Sequence, residues 1–283
     1  GVLPVTRINQ HILSNGTKGS ITDKLQGLYK MEINNLYPKQ YSTVKPLRIA
    51  MWSGPRNIST TMMRSFSSRS DTYVTDEPLY AHYLKRTGVN HPGYEEILQS
   101  YNTDYHHIIN NLINDTPSNK SVWYQKHMAH HLDPSDNLEW TNSFMNCLLI
   151  RDPSHVIASF LNKNDLKDVD ELGYPQQLKL FQYHDNQIPI VDAKDILLNP
   201  EGILMRLCSL FDITFEEKML SWDKGPHPQD GMWGTYWYDK LWKSTTFSLY
   251  EERESMIDDK YKAILEKCIL IYEELHQYRT KPL

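Results

Sequence analysis

Arg56, Ser59, Thr60 and Thr61 gather a guanidinium and three hydroxyls within six residues, inside the stretch Ser53-Gly54-Pro55-Arg56-Asn57-Ile58-Ser59-Thr60-Thr61. Donors at this density suit an anion. The stretch follows an apolar run, Leu47 to Trp52, and opens a helical pattern that ends near Arg69. A helix start leaves backbone N–H groups unpaired and carries partial positive charge, so strand, tight turn and hydroxyl-rich helix start make a phosphate cradle. A Walker loop places Lys directly before its last Ser or Thr. Here Ile58 or Ser59 holds that place, which implies an anion other than an ordinary nucleoside triphosphate.

A second anchor follows almost a hundred residues on, where Phe144 to Ile150 runs into Arg151-Asp152-Pro153 and a helical pattern to about Lys163. Asp suits the cap and Pro the first helical position. Val156, Ile157, Phe160 and Leu161 form the apolar face of that helix, and His155, Ser159 and Lys163 fall on a polar one. Arg151 at the strand end and Ser159 two turns along could grip one group between them.

The elements that must position these residues read as an α/β domain. Apolar runs at Leu47 to Trp52, Thr72 to Thr75, Ser121 to Lys126, Phe144 to Ile150 and Ile188 to Val191 predict five strands alternating with helices, hence a parallel sheet covered on both faces. Helices are expected over 79–85, once within 86–119 (at 105–113), after Asn199-Pro200-Glu201, and over 258–278, where an apolar stripe from Tyr261 to Leu275 packs on the domain. Ligands of such sheets sit beyond the carboxyl ends of the strands, which puts Arg56, Glu77, Lys126 and Arg151 along one rim. Residues 1–45 read as a partly ordered extension with a short helical stretch near Asp23 to Met31, and 46–283 as one domain. The segment 222–243 carries four of the seven tryptophans and reads as a loop-like lid or acceptor wall, with Trp233 the favoured ligand contact. Arg64, Arg69, Asp104, His106 and His107 read as solvated or structural.

A length of 283 residues suits one catalytic domain, and a formal net charge of -5 disfavours nucleic acid or an anionic membrane surface as the main partner. Cys147, Cys208 and Cys268 lie far apart and read as core thiols in a reducing compartment. With no long apolar run and no signal-like start, the expectation is a cytoplasmic protein. His127, His130 and His131 have a spacing that could hold zinc on a helix, but Leu132-Asp133-Pro134 cuts any helix short and no Cys lies near, so no metal site is expected.

The two anchors at this separation resemble the P-loop-like sulfotransferases that use 3′-phosphoadenosine 5′-phosphosulfate, most of all the bacterial type with a Pro-Arg loop. Asp192-Ala193-Lys194-Asp195-Ile196-Leu197 followed by Asn199-Pro200 is similar to that family's late strand and its continuation. The resemblance implies that Gly54, Arg56, Asn57, Ser59, Thr60 and Thr61 hold the 5′-phosphosulfate and that Arg151 with Ser159 hold the 3′-phosphate. A Trp-bearing late loop, here with Trp233, would fold over the nucleotide. Met62 stands where cytosolic members carry an adenine-stacking Trp, Ala193 where the family has a Tyr, and Ile58 where many members have Gly.

Sulfuryl transfer needs charge stabilisation, a base for the acceptor and an in-line approach. Arg56, Lys126 and the loop N–H groups are candidates for the first, with no metal required. For the base, Glu77 in Asp76-Glu77-Pro78 resembles the Gly-Glu-Pro element of bacterial members, while His127 follows a strand that resembles the Lys-Thr-His ending of cytosolic ones, one residue out of register. His130 and His131 are further options, and Glu77 could instead cap the next helix. The expected reaction moves a sulfuryl group to a hydroxyl of a small-molecule acceptor, leaving 3′,5′-bisphosphoadenosine. The alternatives are a P-loop phosphotransferase or NTPase with Asp152 or Asp192 as a Walker B carboxylate, and a nucleotide-binding interaction module without catalysis. Neither the acceptor nor the oligomeric state is legible in the chain.

Overall fold

The computed structural model describes residues 45–252 and 256–283, together with two short strands, Arg7–Ile8 and His11–Ile12, that pair antiparallel. The chain divides into two compact units, Gly1–Thr43 and Val44–Leu283. The helical stretch expected near Asp23 to Met31 lies outside the described residues.

The larger unit is built on five parallel strands: β1 (Leu47–Ser53), β2 (Thr72–Asp76), β3 (Val122–Met128), β4 (Met145–Ile150) and β5 (Ile190–Asp192), in spatial order β2-β3-β1-β4-β5. The five expected strands are all present. Alternate residues of the central strands feed two separate cores, as a sheet covered on both sides requires. Ile49, Met51, Tyr124, Cys147 and Leu149 pack on one face with Met62, Met63 and Phe66. Ala50, Trp52, Trp123, Leu148 and Ile150 pack on the other with Phe181 and Leu275.

Helices α1 (Ser59–Ser67), α2 (Tyr80–Thr87), α3 (Tyr94–Ser100), α4 (Tyr105–Asn114), α5 (Pro153–Leu161), α6 (Tyr174–Tyr183), α7 (Ala193–Leu198), α8 (Pro200–Leu210), α9 (Gly234–Trp237), α10 (Asp239–Trp242) and α11 (Lys262–His276) complete the unit. Asp152, Asp192 and Asn199 cap α5, α7 and α8, and Asp104 caps α4 by accepting from the His107 N–H. The tract 86–119 holds two helices where one was expected: α3 buries only Ile97, too little to leave an apolar stripe in the sequence. The aromatic tract expected as loop contains the one-turn helices α9 and α10. No helix among the described residues is long and apolar enough to cross a membrane.

Arg64 on α1 and Arg69 just beyond its end are structural, not solvated. Arg64 is 1% exposed and donates to Asp230 Oδ2 at 2.5 Å, and Arg69 binds Asp71 and the Thr214 carbonyl. Asp230 also accepts from Trp242 Nε1 and the His227 N–H, so the aromatic tract is pinned to the back of α1.

Gly54 lies directly beneath the strap that leads into α6. A Cβ there would run into the Leu172 carbonyl oxygen, and backbone cannot swing aside as a flexible side chain can. Gly54→Ala should therefore lower stability by about 1–3 kcal/mol, the usual cost of overpacking. A urea midpoint equal to the parent's would show that the strap yields freely.

Candidate active site

Two loops that are remote in sequence interlock at the carboxyl ends of β1 and β4. Arg56 donates through Nε to Ser159 Oγ at 3.0 Å across 103 residues, and Arg151 Nη1 donates to the Arg56 carbonyl at 2.7 Å. Strand register makes this possible, since β1 and β4 run side by side with Ser53 opposite Leu149. The loop is fastened from below. Asn57 Nδ2 and Gln177 Nε2 both donate to the Leu149 carbonyl, Gln177 also reaches the Trp52 carbonyl, and Tyr174 donates its hydroxyl proton to the Arg151 carbonyl. Asn57 thus spends its amide on backbone: its oxygen accepts from the Ile58 N–H. Of the expected anion ligands, Arg56, Thr60, Thr61, Arg151 and Ser159 keep partly exposed side chains, while Ser59 and Gly54 are buried.

The donor set suits the anionic end of a phosphosulfate nucleotide. α1 begins with no side-chain cap and no acidic residue in its first turn, next to two guanidiniums. Burial draws Arg56 below its ordinary value, and burial and the neighbouring Arg56 do the same to Arg151. An arriving anion relieves that penalty. Met62 and Ala193 are both buried, so neither offers an adenine platform.

Across β1, the ends of β2 and β3 build a second cluster. Asp76 lies opposite Lys126 in the parallel register. The Lys126 ammonium, 1% exposed, donates to Glu77 Oε1 at 2.6 Å, to Asp76 Oδ1 at 3.0 Å and to the Tyr238 hydroxyl at 2.7 Å. Burial raises the Glu77 carboxyl against the pull of Lys126. Burial alone would lower Lys126, but Asp76 and Glu77 overcome it and hold the ammonium above its usual range. A carboxylate whose proton affinity is raised toward working pH is a better general base. Glu77 also leaves its strand with φ of 41°, and Arg56 with φ of 55°. The other non-glycine residues with positive φ among those described are Asp or Asn, which tolerate that region better.

The histidines do not behave as their sequence position suggested. His127 follows Lys126 on one strand, so it points to the opposite face of the sheet. There it stacks on Trp52 with ring centroids 4.2 Å apart and contacts Gln125 Oε1, away from Glu77. Burial drives His127 and His130 down to about 3 and His131 well below its ordinary value. His131, between the rings of Tyr80 and Tyr83, is the one that approaches Glu77, with Nε2 3.9 Å from Oε2. Among the described residues no group of three His, Cys, Asp or Glu side chains has the geometry to hold a metal.

Trp233 is likewise core and not an open ligand platform: 1% exposed, it packs against Tyr80 and Tyr101 and donates Nε1 to the Tyr238 hydroxyl. Asp152 and Asp192, the candidate Walker B carboxylates, are occupied as helix caps. Sequence reasoning missed Tyr238 and Gln177 as site-building residues, and no local pattern marks either one.

Neutral burial of three histidines has a consequence for stability. Unfolded, they take up protons near pH 6.5; folded, they resist until pH is close to 3 for His127 and His130. Their contribution is complete above about pH 6.5 and drains away as pH falls. The melting temperature should therefore drop between pH 7 and pH 5, above the range where ordinary carboxylates titrate, and a flat profile there would contradict neutral burial.

The profile of the family described as Sulfotransferase domain matches residues 47–276. Two Arabidopsis thaliana proteins are similar over most of the chain. Branched-chain-amino-acid aminotransferase-like protein 2 is 34% identical over 230 residues, which is 80% of this chain and 41% of that protein. Branched-chain-amino-acid aminotransferase-like protein 1 is 31% identical over 240 residues, 83% of this chain and 42% of that protein. The chain spans less than half the length of either relative. A solved sulfotransferase from Alicyclobacillus acidocaldarius superposes with a TM-score of 0.49 at 8% identity, over 84% of this chain and 98% of that one. The family match takes in all five strands, both loops and the last helix, and the chain belongs to the sulfotransferase domain family.

Proposed function

We propose that this chain transfers a sulfuryl group from 3′-phosphoadenosine 5′-phosphosulfate to a hydroxyl of a small-molecule acceptor. The observation that carries the reading is the meeting of Arg56 with Ser159 and Arg151 at the ends of adjacent strands. Two cationic grips at neighbouring strand ends match a donor that carries a phosphate on the 3′ and a phosphosulfate on the 5′ position of one ribose. Arg56, Thr60, Thr61 and the N–H groups opening α1 would hold the 5′-phosphosulfate, and Arg151 with Ser159 the 3′-phosphate. The donor, when bound, supplies an activated sulfuryl group whose leaving phosphate is already anionic. Fixed guanidiniums and N–H groups can stabilise its departure, so the step asks for no metal. Glu77 takes the acceptor proton as the oxygen attacks sulfur in line, and Lys126 orients that carboxylate. We further read the protein as cytoplasmic, since three free buried cysteines suit a reducing compartment.

In a thermal-shift assay without Mg2+, 3′,5′-bisphosphoadenosine should raise the melting temperature, a ligand at ~100 times its dissociation constant adding about 2.7 kcal/mol. Stabilisation by ATP with Mg2+ and not by the bisphosphate would favour the phosphotransferase reading instead. Arg56→Ala should lose both donor binding and turnover. Glu77→Gln should keep donor binding and lose roughly 100-fold or more in sulfuryl transfer to a hydroxyl-compound panel; normal turnover in that variant would remove Glu77 from the mechanism.

A further inference from the structure

The Lys126 ammonium has three N–H donors and three acceptors, Asp76, Glu77 and Tyr238, so it has no freedom to turn elsewhere. Two of the acceptors come with the strands. The third, Tyr238, comes from the aromatic tract between α9 and α10 and is 5% exposed. Its hydroxyl accepts from Lys126 and donates a hydrogen bond to Asp76 Oδ2 at 2.7 Å, an oxygen that also accepts from the Gly231 N–H at 3.0 Å. Asp76 Oδ2 is thereby satisfied by two neutral donors, and only Oδ1 is turned to the ammonium. A better satisfied Asp76 competes less for Lys126, which leaves more of the positive charge to Glu77.

We propose that Tyr238 is a positioning residue for Glu77: its hydroxyl, seated between Lys126 and Asp76, keeps the ammonium on the Glu77 carboxylate and so keeps that group anionic. This rests on the base role given to Glu77 above. The titratable groups around Glu77 are Asp76 at the end of β2, Lys126 on β3, His131 in the turn after β3, Tyr80 opening α2, and Tyr238 itself. With His131 neutral, the balance is two carboxylates against one ammonium, and the Tyr238 proton tips it. Removing the hydroxyl takes an acceptor from Lys126 and a donor from Asp76. The ammonium then shifts toward Asp76, and Glu77 holds its proton to higher pH.

The test compares Tyr238→Phe with Thr235→Val, which removes a hydroxyl that binds the Met232 carbonyl in the same tract without touching Lys126 or Asp230. Two readouts are taken: the pH profile of kcat/KM, and a carbon-13 carboxyl NMR titration of Glu77, assigned by the signal missing in Glu77→Gln. In Tyr238→Phe the acidic limb and the NMR midpoint should both rise by roughly one pH unit, with kcat/KM about tenfold lower below the limb and within about twofold on the plateau. Thr235→Val should leave both unmoved. Should Tyr238→Phe fold poorly, 3-fluorotyrosine at position 238, a stronger donor and weaker acceptor, should move the midpoint downward instead. A loss by one factor at every pH, or an unmoved Glu77 midpoint, overturns the proposal. If the parent transfers no sulfuryl group, the function reading fails, and the NMR midpoint still decides whether Tyr238 sets the proton affinity of Glu77.

Discussion

A buried ammonium is tolerated only where its charge is answered, and Lys126 is answered by Asp76, Glu77 and Tyr238 together. That requirement joins three otherwise separate parts of the chain. The parallel register of β2 and β3 sets Asp76 opposite Lys126, the turn after β2 returns Glu77 to the same nitrogen, and the aromatic tract must close over both. The tract is also held at Asp230 by Arg64 from the helix of the anion loop. One polar frame thus links the proposed base to the proposed donor cradle, and a half-satisfied version of it would be worse than an apolar core.

Backbone strain gathers at the same places. Arg56 and Glu77 each follow a strand and each adopt positive φ, a conformation that costs residues of their type about 1–3 kcal/mol. The surroundings over-determine both. Arg56 is held through its carbonyl by Arg151 and through its side chain by Ser159, and the Glu77 N–H donates to the Lys126 carbonyl. Such turns lift the two side chains away from their strands toward the rim where ligands of open parallel sheets bind.

Much of the fold was legible because its signals are local. Each strand is a short apolar run, and Asp152 and Asn199 announce their helices by capping chemistry that depends on a few neighbours. The turns that carry Arg56 and Arg151 were legible for the same reason. α3 leaves no stripe in the sequence because it buries one side chain, and Trp233, an aromatic in a polar tract, looks exposed until the partner rings of Tyr80 and Tyr101 are in place. For His127 the signal is local too, since strand alternation sends it to the face opposite Lys126.

The chain by itself determined five strands, the composition of two turns rich in hydrogen-bond donors, and a carboxylate and a lysine at strand ends, since these follow from residue type and spacing over a few positions. Tertiary structure alone decided that Arg56 meets Ser159, that Lys126 sits between two carboxylates, and that Tyr238 completes the site from 162 residues beyond Asp76. Those contacts arise from strand order and helix packing, and no local pattern encodes which distant residue a buried charge will find.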